Sequence, residues 1–93
     1  MSKFYSLTTS EAKKHALVVA YHENPELVGT RGLLLEITDS GDAFLFSSAH
    51  NLMEVPLAYC MTVSDYEQTK ADGTSIHPHR NKSGATGLLI CKS

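Results

Sequence analysis

Gly32-Leu33-Leu34-Leu35-Glu36-Ile37-Thr38, followed by Asp39-Ser40-Gly41-Asp42 and then by Ala43-Phe44-Leu45-Phe46-Ser47-Ser48, is the stretch whose reading decides the fold. Alternate residues of a strand share a face, so the first segment sets Leu33, Leu35 and Ile37 on one side and Leu34, Glu36 and Thr38 on the other. The third segment answers with Phe44 and Phe46 pointing inward, as core residues. Asp39 to Asp42 is turn chemistry, and the whole stretch predicts a β-hairpin.

Upstream, Thr8-Thr9-Ser10-Glu11 has the spacing of a capping box, with Leu7 and Ala12 placed as a hydrophobic staple. A helix is therefore expected from Thr9, running through Ala12, Ala16, Val19 and Ala20 on one face and stopping near Glu23, because Pro25 pushes Asn24 out of the α region. Lys3 to Leu7 is expected to form a short strand ahead of it. Asn24-Pro25-Glu26-Leu27-Val28-Gly29 reads as a cap, a proline at the first helical position, one turn, and a glycine past its end.

Downstream, Ala49 to Val55 fits neither period, and Pro56 breaks it. Leu57 to Val63 is short and apolar, the pattern of a buried strand. Ser64-Asp65-Tyr66-Glu67 repeats the capping-box spacing, which predicts a short helix to about Ala71 closed by Gly73. Thr74 to Gly87 holds few apolar groups and is expected to be a long loop, and Gly87 to Lys92 a closing strand. The sum is an α+β domain: a small antiparallel sheet of four to five strands, one main helix packed on one face, and a short second helix.

Ninety-three residues suit a single domain, 1–93. With 42% hydrophobic and 19% charged residues, the chain is neither a disordered acidic tail nor a coiled coil. The longest apolar run, Ala16 to Tyr21, is far shorter than a membrane span. No secretory pattern precedes it, so a cytoplasmic location is expected. In that setting Cys60 and Cys91, both in apolar stretches, are expected to be reduced thiols. Charge is uneven: residues 21–69 set Arg31 against eight acids, whereas residues 70–93 set Lys70, Arg80, Lys82 and Lys92 against Asp72.

The densest polar cluster runs from Ile76 to Gly87. A metal shared by His77 and His79 is expected to need a turn at Pro78 and a third ligand, and no Cys-x-x-Cys or His-x-x-x-His spacing exists, so no metal is assigned. Phosphate binding suits the segment better, with Arg80 and Lys82 for charge, Asn81, Ser83 and Thr86 for hydrogen bonds, main-chain amides beside Gly84 and Gly87, and His77 and His79 as further members of the site. The order Lys82-Ser83-Gly84 is not that of a P-loop. Cys60 lies in an apolar strand that disfavours its thiolate, and Ser48 beside His50 lacks a glycine-flanked elbow. Spacing alone brings no two catalytic groups together.

Three functional expectations follow. The leading one is a small non-enzymatic protein-binding or inhibitory protein, such as a phage or mobile-element anti-defence protein or an immunity protein. Its acidic hairpin, with Glu36, Asp39 and Asp42, would meet a basic partner such as a nuclease or nucleic-acid-binding complex. The alternative is a binder of a nucleotide or other phosphorylated ligand through residues 77–87, with a homodimer interface as one setting for the site. The third is a small hydrolase with His77 or His79 as its base. None of the three calls for a cofactor.

Overall fold

The structure, a computed structural model, describes residues 2–92. It corrects the expected single sheet under a long helix: the chain is mostly β and forms two antiparallel sheets. Strands β1 (Ser2–Tyr5), β8 (Thr86–Lys92) and β7 (Thr74–Arg80) make a three-stranded sheet in the order β1-β8-β7. Strands β2 (Leu17–Val19), β3 (Arg31–Ile37), β4 (Asp42–Ser47), β5 (Asn51–Pro56) and β6 (Cys60–Thr62) make a second, in the order β5-β4-β3-β2-β6. Helix α1 (Thr9–Ala12) is a single turn, and the main helix is α2 (Val63–Ala71).

The helix expected up to Glu23 gives way to β2 because Leu17, Val18, Val19 and Ala20 are all buried. A helix on a sheet buries one stripe, whereas a strand between two layers buries every residue. Leu17 and Val19 enter one core with Ala43, Leu45, Met53, Val55 and Cys60. Val18 and Ala20 enter the other with Met61 and Leu88. The β-branched Val18-Val19 pair also favours the extended chain. Thr8 caps α1 as its spacing predicts, its hydroxyl accepting from the Glu11 amide at 3.2 Å. Asn24 caps the 3₁₀ turn Pro25–Leu27 in the same way, and Gly29 follows at φ +86°.

Because residues of β2 and β6 share a core with residues of β4 and β5, the five-stranded sheet curls over on itself. Gly32 lets β3 lie close against β4: a Cβ there would stand 2.9 Å from the Cβ of Leu45. The β3–β4 hairpin forms as expected, with its faces reversed. Ala43 and Leu45 are buried, whereas Leu33, Leu35 and Phe46 face outward. A bulge between Leu34 and Glu36 shifts the alternation, so that Ile37 packs against the core while Leu35 does not.

Three further expectations are corrected, and one open segment is settled. Ala49 to Val55, of undecided period, supplies most of edge strand β5. Leu57 to Val63 is a 3₁₀ turn (Leu57–Tyr59) followed by β6. Thr74 to Gly87 is no loop: β7 and β8 form a hairpin, with Pro78 tolerated because β7 is an edge strand. Helix α2 is capped by Thr62 rather than by Ser64, its hydroxyl accepting from the Asp65 amide at 3.2 Å. Thr62→Ala is expected to lower stability by about 1 kcal/mol, read as a shift in the urea midpoint.

The two layers meet at Tyr5. Its hydroxyl donates to Asp65 Oδ2 at 2.8 Å and accepts from the Thr62 amide at 3.4 Å, tying β1 to the start of α2. Burial, and then the hydrogen bond to Asp65, push this phenol up to about 12.

Candidate protein-docking face

The outward side of β3, β4 and β5 is built by register. Leu33 pairs with Phe46 and Phe46 with Leu52, giving one apolar row across three strands. The next row is Glu36, Phe44 and Glu54. Leu35 stands in the bulge between the rows. Leu33 is 62% exposed, Leu35 57%, Phe46 50% and Leu52 58%, so four large apolar side chains stand together in water. Scattered exposed leucines are ordinary on a protein surface, but a contiguous cluster is not.

The inner face of the sheet is filled by Gly32, Ala43, Leu45, Met53 and Val55, and the register sets the cluster on the opposite side. At its Leu33 and Phe46 end lies a shallow groove of about 310 Å³, bordered also by Ala16, Arg31 and Val63. Arg31 is the one basic residue there, and its guanidinium pairs with Glu67.

The three predicted partner-binding acids lie at the far end of this face. Glu36 is in the second row, Asp39 in the turn, and Asp42 at the start of β4, where its amide donates to Thr38 Oγ1 at 3.1 Å. Glu54 joins them and escaped sequence reasoning, because the period of its segment was not legible. From Gly32 to Thr69 the chain has no Lys or Arg. The apolar rows are thus edged by carboxylates.

The predicted phosphate residues lie elsewhere, on the β7–β8 hairpin. The turn amides expected to meet an anion are engaged within the turn. Asn81 Oδ1 accepts from the amides of Ser83 and Ala85, each at 3.1 Å, and from the Ser83 hydroxyl at 2.6 Å. The Gly84 amide donates to the Asn81 carbonyl. Arg80 and Lys82 remain as exposed charges flanking a closed turn.

His77 and His79 lie two apart on a regular strand and so share a face with no turn at Pro78, which corrects the expected need for one. No third ligand joins them among the described residues. His77 Nε2 is 3.0 Å from Ser75 Oγ, and the His79 ring meets Phe4 edge-on. Among the described residues no carboxylate is bonded to either imidazole.

Ser47, not Ser48, is the buried serine, and its hydroxyl accepts from the amides of Ala49 and His50 to hold the turn before β5. Cys60 and Cys91 are both free thiols, Cys60 buried and Cys91 partly exposed. Comparison with family models, curated proteins and solved structures finds no match for this chain.

Proposed function

We propose that this chain is a stoichiometric protein-binding module that acts by covering a partner's surface, in the manner of an inhibitor or immunity protein. The observation that carries the reading is the outward face of β3 to β5: Leu33, Leu35, Phe46 and Leu52 exposed together and bounded by Glu36, Asp39, Asp42 and Glu54. Apolar centres with polar rims are the usual anatomy of protein interfaces.

Charge selects the occupant. A second copy docked with its acidic end on this one would bring four carboxylates against four, whereas a partner with an apolar patch bordered by lysine or arginine complements both features. Nucleases and nucleic-acid-binding proteins present such surfaces. The setting in this reading is the cytosol, where Cys60 and Cys91 stay reduced. No helix among the described residues is long and apolar enough to cross a membrane.

The test begins with a photoreactive benzoylphenylalanine in place of Phe46 or Leu52. Irradiation in native cells is expected to trap one partner whose contacting surface is basic, and the same group in place of Ser83 to trap none. With that partner purified, neutralising Glu36, Asp39 and Asp42 together should slow association about tenfold at low salt and flatten its salt dependence. Neutralising Arg80 and Lys82 should change little. Binding that survives the first set of substitutions and is lost with the second would refute the reading.

A further inference from the structure

Helix α2 does not close fully onto the three-stranded sheet. Between them lies a cleft of about 510 Å³, within the range of small-molecule sites. Its apolar lining comes from Met61, fully buried, and Ile90, partly buried. Lys3 pairs with Ile90 across β1 and β8, and Lys92 lies two residues beyond Ile90, so both lysines stand on the same sheet face and line one wall. The opposite wall is α2, which presents Asp65 from its first turn and Asp72 from its end.

The hydrogen bonds of the lining show which groups are spent. The Thr69 hydroxyl donates to the Asp65 carbonyl and the Thr74 hydroxyl to the Thr69 carbonyl, so both are turned to the backbone. Asp65 takes one hydrogen bond from Tyr5, and Asp72 takes one from Gln68 at 3.0 Å. Each carboxylate keeps acceptor capacity beyond that bond. The one ion pair among the described residues is that of Arg31 with Glu67, so neither lysine pairs with either aspartate across the cleft. Two lysines therefore line one wall of the cleft and two aspartates the other, with no ion pair between the walls.

From this juxtaposition we infer that the cleft is a binding site for a zwitterionic small molecule with an apolar side group, of the amino-acid or dipeptide class. Its carboxylate meets Lys3 and Lys92, its ammonium meets Asp72, and its side group lies on Ile90 and the ring of Tyr5. A simple anion leaves the acidic wall unanswered, and a simple cation leaves the lysines so. This site is separate from the β3–β5 face and does not depend on the docking reading.

Leucyl-phenylalanine is the probe, followed by amide chemical shifts of Lys3, Met61, Thr69 and Ile90 in the full chain. Saturable shifts are expected. The N-acetyl derivative, the C-terminal amide and glycyl-glycine should each bind about tenfold more weakly, having lost one of the three contacts. Lys3→Gln with Lys92→Gln should reduce affinity for the parent dipeptide to that seen with the amide. Asp72→Asn, which keeps an acceptor for Gln68, should reduce it to that of the N-acetyl form. Shifts that do not saturate, or an N-acetyl form that binds as tightly as its parent, would overturn the inference.

Discussion

Leu45→Ala is expected to destabilise the protein by about 2 to 5 kcal/mol, and Phe46→Ser, one residue along the same strand, to shift stability by less than about 0.5 kcal/mol. Leu45 is fully buried and belongs to the core that β2, β4, β5 and β6 share. Its truncation opens a cavity where the sheet is pinned by the contact of Gly32 with β4 and cannot readily collapse. Phe46 is half exposed, and removing its ring takes away apolar surface that water already reaches. Urea midpoints at constant m-value measure both. The opposite ranking, with Phe46→Ser the costly change, would mean that the hairpin packs with its other face inward.

That contrast also shows what was legible in the sequence. The hairpin was, because alternation and a turn sequence are local signals. Its inward face was not, because both faces carry large apolar residues: Leu34, Ile37 and Leu45 on one, Leu33, Leu35, Phe44 and Phe46 on the other. The choice rests on long-range pairing: Ala43 and Leu45 join Leu17, Val19, Met53, Val55 and Cys60 in one core, which leaves the two phenylalanines on the opposite face. Strand β2 failed for a related reason. Ala12, Ala16, Val19 and Ala20 fit a helical stripe, and only the presence of a second core on the far side makes the run from Leu17 to Ala20 a strand buried on both faces.

The caps at Thr8 and Asn24 were readable since they involve neighbours in sequence. The hairpin from Thr74 to Lys92 was not, because an edge strand needs few apolar residues and can carry Pro78. For the candidate docking face, the acids Glu36, Asp39 and Asp42 stood out by charge. The apolar rows between them were hidden, since Leu33 and Phe46 look like core residues until the register is known.

Stability is also expected to fall steeply in alkali, and Cys60 is the main cause. Its thiol is buried, donates to the Pro56 carbonyl at 3.6 Å, and is pushed up to about 12 from 9.0 by loss of solvation. Between those values the unfolded chain gives up this proton and the folded chain keeps it. The unfolded state then binds fewer protons, so the free energy of unfolding decreases as pH rises. The contribution is fully present below pH 9 and is lost progressively towards pH 12, to a total on the order of 4 kcal/mol. Tyr5, raised from 10.0 to about 12, acts in the same direction over the upper part of the window. Its share is smaller because solvent screens the partly exposed phenol. Thermal midpoints of the wild type should therefore drop sharply from pH 8 to pH 11. Cys60→Val, which fills a similar volume without a titrating group, should remove most of the drop that occurs below pH 10, while Tyr5→Phe should flatten the curve only above it. Parallel curves for wild type and Cys60→Val would show that the thiol reaches water in the native state, and with that the packing of β6 between the two cores would have to be redrawn.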